Sequence, residues 1–233
     1  MRALGIIQAR MGSVRLPGKV LRPLAGAPML ERLVQRVRGA RTLSSLAVAT
    51  SDLEKDDAVF ELCSRIGVAC YRGSETDVLG RFLGALSAVP GEFDVVVRLT
   101  GDNPFVGADL VDSLVELFAS ARPSADYATT LGSAGYPPGL TVEAVSVAAL
   151  CLAAQSADPA DREHVTWHVR QRPERFVHVE LVCPTSFGAT SFSIDTPKDY
   201  ARLAPFFERL HARNPNFASY EIAAALEPET TVD

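Results

Sequence analysis

Two rhythms of apolar and polar positions alternate along the first half of the chain. Short, nearly continuous apolar runs at residues 3–8, 46–50, 68–71 and 93–100 predict strands buried on both faces. Between them, apolar residues fall at helical spacing. Met29, Leu30, Leu33, Val34 and Val37 share one face, with Gly39 as a stop. Ala58, Val59, Leu62, Cys63 and Ile66 share another, ended by Gly67, and residues 77–89 and 108–120 repeat the pattern. Strands that alternate with helices predict an α/β fold: a mostly parallel sheet with helices on both faces. Ligands of such sheets bind beyond the carboxyl ends of the strands.

The second half is less regular. Residues 126–130, 140–146, 176–182 and 191–195 read as strands, some antiparallel. Residues 146–157, 161–172 and 197–211 read as helices. No repeat and no long linker interrupts the chain, so a single domain over residues 1–233 is expected.

Composition narrows the class. Apolar residues make up 47% and charged residues 22%, enough for a core and unlike a disordered chain. The net charge of −5 argues against a nucleic-acid binder or a membrane-surface binder, either of which would carry a basic face. The first apolar run is shorter than a secretory h-region of about 7–15 residues. No segment approaches the roughly 20 apolar residues of a membrane span. Cys63, Cys70, Cys151 and Cys183 lack a metal-type spacing and sit beside apolar neighbours, so buried, reduced thiols are expected. These features predict a soluble protein of the cytoplasm.

Against that mildly acidic background, three cations cluster in "IIQARMGSVRLPGKVL": Arg10, Arg15 and Lys19, among Gly12, Gly18 and Pro17. Glycines let backbone approach a ligand, a loop after a strand exposes amide N–H groups, and arginine and lysine suit phosphate. The loop is either a polyphosphate site or a solvated basic turn. It is neither G-x-x-x-x-G-K-[ST] nor G-x-G-x-x-G, which weakens a kinase or dehydrogenase assignment. "RLTGDNP" places Asp102 at the tip of a buried strand, as a hard-cation ligand or as a turn residue before Pro104. "FSIDTPKDY" ends an apolar run at Asp195, as a second ligand or as part of a helix start at Thr196 and Pro197. One picture unites the three: Mg²⁺ between the two carboxylates, bridging nucleotide phosphates.

Taken in order, "QARMGSVRLPGK", "YRGSETDVLGRF", "VVRLTGDNPFV", "DREHVT" and "SIDTPKDY" resemble the spore-coat-polysaccharide type of cytidylyltransferase, relatives of the enzymes that make CMP-Kdo and CMP-sialic acid. The resemblance implies a GT-A-like (nucleotide-diphosphosugar transferase), Rossmann-like fold. It also implies transfer of CMP from CTP to an acidic acceptor, with Mg²⁺ and pyrophosphate release, in a homodimer. Carried over, Arg10 and Lys19 clamp the triphosphate, helped by Gln8, Ala9, Met11, Gly12, Ser13, Arg15, Thr100 and Gly101. Arg72 and Ser74 fall where cytosine and ribose are read, and Asp102 and Asp195 hold the metal. Tyr136, Glu143, Glu163 and His164 fall to the acceptor side. His164 is the one general-base candidate, with a structural or substrate-contact role as its alternative, and Trp167 is assigned either to the core or to the acceptor pocket.

Departures from the family pattern concern the acceptor. Pro138 and Thr141 stand where relatives carry aspartates, and Ser193 replaces a carboxylate found in sialic-acid-activating relatives. Two competing functions remain: a glycosyltransferase using a preformed nucleotide sugar, and a non-catalytic nucleotide-binding subunit. "TGDNP" lacks the paired aspartates expected of the first.

Overall fold

The computed structural model describes residues 1–121, 123–132, 135–156 and 158–226. Strand β1 (Ala3–Gln8) leads through the basic loop and a short 3₁₀ turn (Lys19–Leu21) to a small hairpin, β2 (Pro23–Leu24) and β3 (Ala27–Pro28), then to helix α1 (Met29–Arg38). β4 (Leu43–Ser51), α2 (Asp57–Arg65), β5 (Ala69–Gly73), α3 (Val78–Ala88), β6 (Val95–Thr100) and α4 (Ala108–Ser120) follow in strict alternation. The second half contributes β7 (Tyr127–Thr129), β8 (Glu143–Ser146), α5 (Val147–Ser156), α6 (Pro159–Glu163), α7 (Trp167–Arg170), β9 (His178–Glu180), α8 (Pro197–Arg213) and α9 (Ser219–Ala224).

One seven-stranded sheet, ordered β5-β4-β1-β6-β8-β7-β9, draws on both halves of the chain. β1 pairs in parallel with β4 and β6, β4 with β5, and β7 with β9, while β8 runs antiparallel to both β6 and β7. The expected mixed, mostly parallel sheet is therefore present. Successive residues of β1 explain why its sequence is apolar throughout. Ala3 and Ile7 pack into the cluster with α1, α4 and α8, whereas Leu4 and Ile6 pack into the cluster with α3 and α5.

Three expectations need correction. Residues 191–195 do not form a strand. Phe192 and Ile194 are buried, but their amides donate to single loop carbonyls, those of Pro138 and Asp102, and not to a ladder. The helix expected over 161–172 breaks into α6 and α7, because Val165 sits at φ 54° and the Thr166 hydroxyl turns inward to the buried Glu143 carboxylate at 2.7 Å. Of the four free thiols only Cys63 is buried; Cys151 lies on the solvent side of α5. Ala157, the last residue of the helix expected over 146–157, lies outside the described residues. α9 had no counterpart in the sequence reading.

Candidate active site

The carboxyl ends of β1 and β6 open into a crevice of about 470 Å³, within the range of small-molecule sites. Gly101 lets the two strand ends close up, since a Cβ there would meet Ala9 Cβ at 3.1 Å and the Gln8 carbonyl at 3.2 Å. The Gly101 amide donates to that same carbonyl. The basic loop starts on the edge of β1 and folds back on itself. Gly18 takes φ 67°, its amide donates to the Met11 carbonyl, and the Met11 amide donates to buried Asp56 at 2.6 Å. That clamp aims Lys19 inward, leaving its side chain 11% exposed.

Lys19 Nζ donates to Asp102 Oδ2 at 2.7 Å and to Asp195 Oδ1 at 2.8 Å. Arg15 reaches the same Asp195 oxygen at 3.1 Å. Two carboxylates 93 positions apart in the chain thus surround one cation. Burial alone would raise the Asp102 carboxyl, but Lys19 and the Thr100 hydroxyl hold it below its ordinary value. Asp195 is free to face the crevice because the cap of α8 is made by its neighbours. The Thr196 hydroxyl accepts from the Asp199 amide, and Asp199 accepts from the Thr196 amide. The segment is pinned further where Ser193 donates to Asn103 Oδ1 at 2.9 Å and where Gly139 (φ 94°) lets the backbone at Phe192 come close.

The opposite wall is cationic. Arg10 lines the crevice beside Arg81, and burial together with the Arg10 charge lowers the Arg81 guanidinium. Arg81 donates through Nη1 to the Ser74 and Glu75 carbonyls, while its buried Nε has no hydrogen-bond partner among the described residues. Arg98 also lines the crevice. Its Nε donates to Gln8 Oε1 at 3.1 Å and its Nη1 donates to Glu143.

Most of the site residues read from the sequence converge here: Gln8, Ala9, Arg10, Gly12, Ser13, Arg15, Lys19, Thr100, Gly101, Asp102, Glu163, His164 and Asp195 all line the crevice. Glu163 and His164 stand exposed at its rim, on the turn that ends α6. Met11 acts through its backbone. Arg72 and Ser74 do not line the crevice. Arg72 donates to the carbonyls of Ser51 and Leu53 and pairs with Asp57 at 2.6 Å, and the Ser74 hydroxyl accepts from the Asp77 amide at the start of α3. Tyr136 is partly buried against the core and does not line the crevice, and Glu143 is fully buried and so is not placed to touch an acceptor. Trp167 is half-buried on α7 with Arg170 stacked on it, and Pro138 supports the Phe192 amide from outside the crevice. Arg81, Arg98 and Asp56 were missed. Each reads in sequence as an ordinary helix-face, strand or loop charge, and only the β6/β8 register, which sets Arg98 opposite Glu143, reveals the pairing.

Two gathered carboxylates, a lysine between them and arginines across the gap suit a substrate that brings phosphates. Among the described residues no group of three or more His, Cys, Asp or Glu side chains assembles. A metal at Asp102 and Asp195 would therefore draw its other oxygen ligands from phosphate and water, the usual habit of Mg²⁺. The two carboxylates already converge on one cation, the Lys19 ammonium, so both face a common centre.

The mixed sheet with its crevice at the strand ends is the fold of α/β nucleotidyltransferases. The family model for cytidylyltransferases matches residues 4–220, and the chain belongs to that family. The spore coat polysaccharide biosynthesis protein SpsF of Bacillus subtilis (strain 168) is 37% identical over 231 residues, covering 96% of this chain and 93% of that protein. A 3-deoxy-manno-octulosonate cytidylyltransferase of Zea mays is 34% identical over 139 residues, 57% of this chain and 43% of that protein. The solved structure of a cytidylyltransferase from Leptospira borgpetersenii serovar Hardjo-bovis (strain JB197) superimposes with a TM-score of 0.87 at 27% identity, covering 96% of this chain and 93% of that one. Family membership favours nucleotidyl transfer over the glycosyltransferase alternative. No helix among the described residues is long and apolar enough to cross a membrane.

Proposed function

We propose that this chain transfers CMP from CTP to an acidic sugar or a related acid, releasing pyrophosphate, in the synthesis of surface-polysaccharide precursors. The observation that carries the proposal is the Asp102–Lys19–Asp195 cluster facing Arg10 across one crevice. An acceptor oxygen attacks the α-phosphorus of CTP in line. The new O–P bond forms as the α–β bridging bond breaks, the electron pair leaves with pyrophosphate, and the acceptor proton passes to solvent. Arg10, Arg15 and Lys19 neutralise the charge that grows on the leaving group, and the loop amides near Gly12 orient the phosphates. When bound, a divalent cation, Mg²⁺ in this proposal, held by Asp102 and Asp195 would supply further charge neutralisation at the phosphates. Arg98, fixed by Gln8 and Glu143, leaves part of its guanidinium for an anion in the crevice.

One relative is named for 3-deoxy-manno-octulosonate, a carboxylate, and that supports an acidic acceptor. The enzyme works as a homodimer in the cytoplasm, as one domain, without nucleic-acid or membrane partners; light scattering checks the dimer. Incubation with CTP, Mg²⁺ and a panel of acidic sugars and phosphonates should release pyrophosphate with at least one of them. CTP binding without pyrophosphate release across the panel would instead identify a non-catalytic nucleotide-binding subunit.

A further inference from the structure

Lys19 Nζ sits between the two carboxylates proposed above as metal ligands. Its ammonium lies 2.7 Å from Asp102 Oδ2 and 2.8 Å from Asp195 Oδ1, with a side chain 11% exposed. A Mg²⁺ ion holds its oxygen ligands at about 2.0–2.1 Å, so the ammonium and the metal cannot share that position. Lys19 is tethered through Gly18 and the closed loop at Met11. The same side chain has two acidic partners in the free protein, and under the proposed function it is also a clamp for the triphosphate.

We propose that Lys19 is the resident cation of the metal site, and that it makes metal entry conditional on the nucleotide. In the free protein its ammonium neutralises the mutual repulsion of Asp102 and Asp195 and keeps them gathered. The phosphates of CTP then draw the ammonium away, and the two carboxylates turn to a divalent ion, so nucleotide binds before or together with metal. Arg15, 65% exposed and among the described residues paired only with Asp195, is too loosely held to take over as the bridging cation. The proposal rests on the assignment of Asp102 and Asp195 as the metal ligands, and concerns what holds that site before catalysis.

Mn²⁺ alone, titrated without nucleotide and followed by electron paramagnetic resonance, gives the direct readout. The unaltered protein should bind Mn²⁺ weakly, yet bind CTP in the presence of EDTA. Lys19→Met should bind Mn²⁺ without nucleotide at least about tenfold more tightly than the unaltered protein, within the usual span of coupling between sites. Adding Asp102→Asn to Lys19→Met should abolish that gain. Equal Mn²⁺ affinity with and without Lys19, or a gain that survives Asp102→Asn, overturns the proposal. If Lys19→Met does not fold, the unaltered protein still decides: tight Mn²⁺ binding without nucleotide refutes conditional entry, and weak Mn²⁺ binding beside CTP binding in EDTA supports it. CTP that fails to bind under any condition refutes the cytidylyltransferase function instead, whatever the metal titration shows.

Discussion

Arg98 and Lys19 each meet a carboxylate at the carboxyl end of the central sheet, yet the two clusters are built differently. Glu143 is fully buried and takes Arg98, the Tyr127 hydroxyl at 2.5 Å and the Thr166 hydroxyl at 2.7 Å. Every partner of that carboxylate is supplied by the protein, from β6, β7 and the break between α6 and α7. At the other cluster Asp102 and Asp195 keep side-chain exposures of 26% and 28%, and one lysine serves both. A saturated, buried network fixes a shape. A partly open cluster with a single shared cation can exchange that cation for another. The first sets where β8 and the rim residues Glu163 and His164 stand; the second is where the proposed substrate chemistry would take place.

Substitutions should separate the two roles. The largest effect is expected at Asp102→Asn, which should lower turnover at least about 10²–10³-fold, as for loss of a group that stabilises developing charge. Its thermal midpoint should fall less than that of Glu143→Ala, because the replaced carboxylate is partly exposed, Asn keeps its shape, and Lys19 retains Asp195. A large drop in stability would move Asp102 into the structural cluster. Glu143→Ala should act the opposite way, with a loss of about 3–5 kcal/mol in denaturant unfolding, because it strands the half-buried Arg98 charge. Adding Arg98→Met should recover part of that loss, and a double-mutant cycle reads the coupling.

The pH profile sharpens the contrast. Burial would raise the Glu143 carboxyl, but Arg98 and the hydroxyls of Tyr127 and Thr166 hold it below its ordinary value of 4.5. A carboxyl depressed in the folded state stabilises above its unfolded value and loses that contribution as pH falls through the folded one. Stability should therefore hold above about pH 4.5 and decline below it, with Asp102 adding in the same sense. Glu143→Gln should flatten that decline, measured as denaturation midpoints on acidification. The smallest effect is expected at Ser193→Ala, about 1 kcal/mol for the lost bond to Asn103, accompanied by a lower affinity for metal because the Asp195 segment loosens.

How much of this the sequence carried depends on how local each feature is. β1, α1, β6 and α4 are written in unbroken apolar runs or clean helical spacing, and each appears within a few residues of its expected place. Arg10, Lys19, Asp102 and Asp195 announced themselves because their motifs end apolar strands or segments, where a parallel sheet puts its ligands. Residues 191–195 misled because Phe192 and Ile194 alternate with serines like a half-buried strand, while the bonds that hold them come from loops. The helix over 161–172 misled because the inward turn of Thr166 depends on Glu143, a residue distant in sequence. Glu143 itself was assigned to the acceptor from its motif, and its burial follows from the register that sets it opposite Arg98, which local pattern does not encode.

The central claim is that the crevice at the ends of β1 and β6 takes CTP through Lys19, Asp102 and Asp195. Calorimetric titration with CTP in the presence of Mg²⁺ tests it most directly, run beside the Asp102→Asn variant. One site per chain, with CTP preferred over ATP and GTP and with binding weakened in the variant, is the predicted result. Absence of CTP binding by the correctly folded protein, or binding indifferent to Asp102, would contradict it.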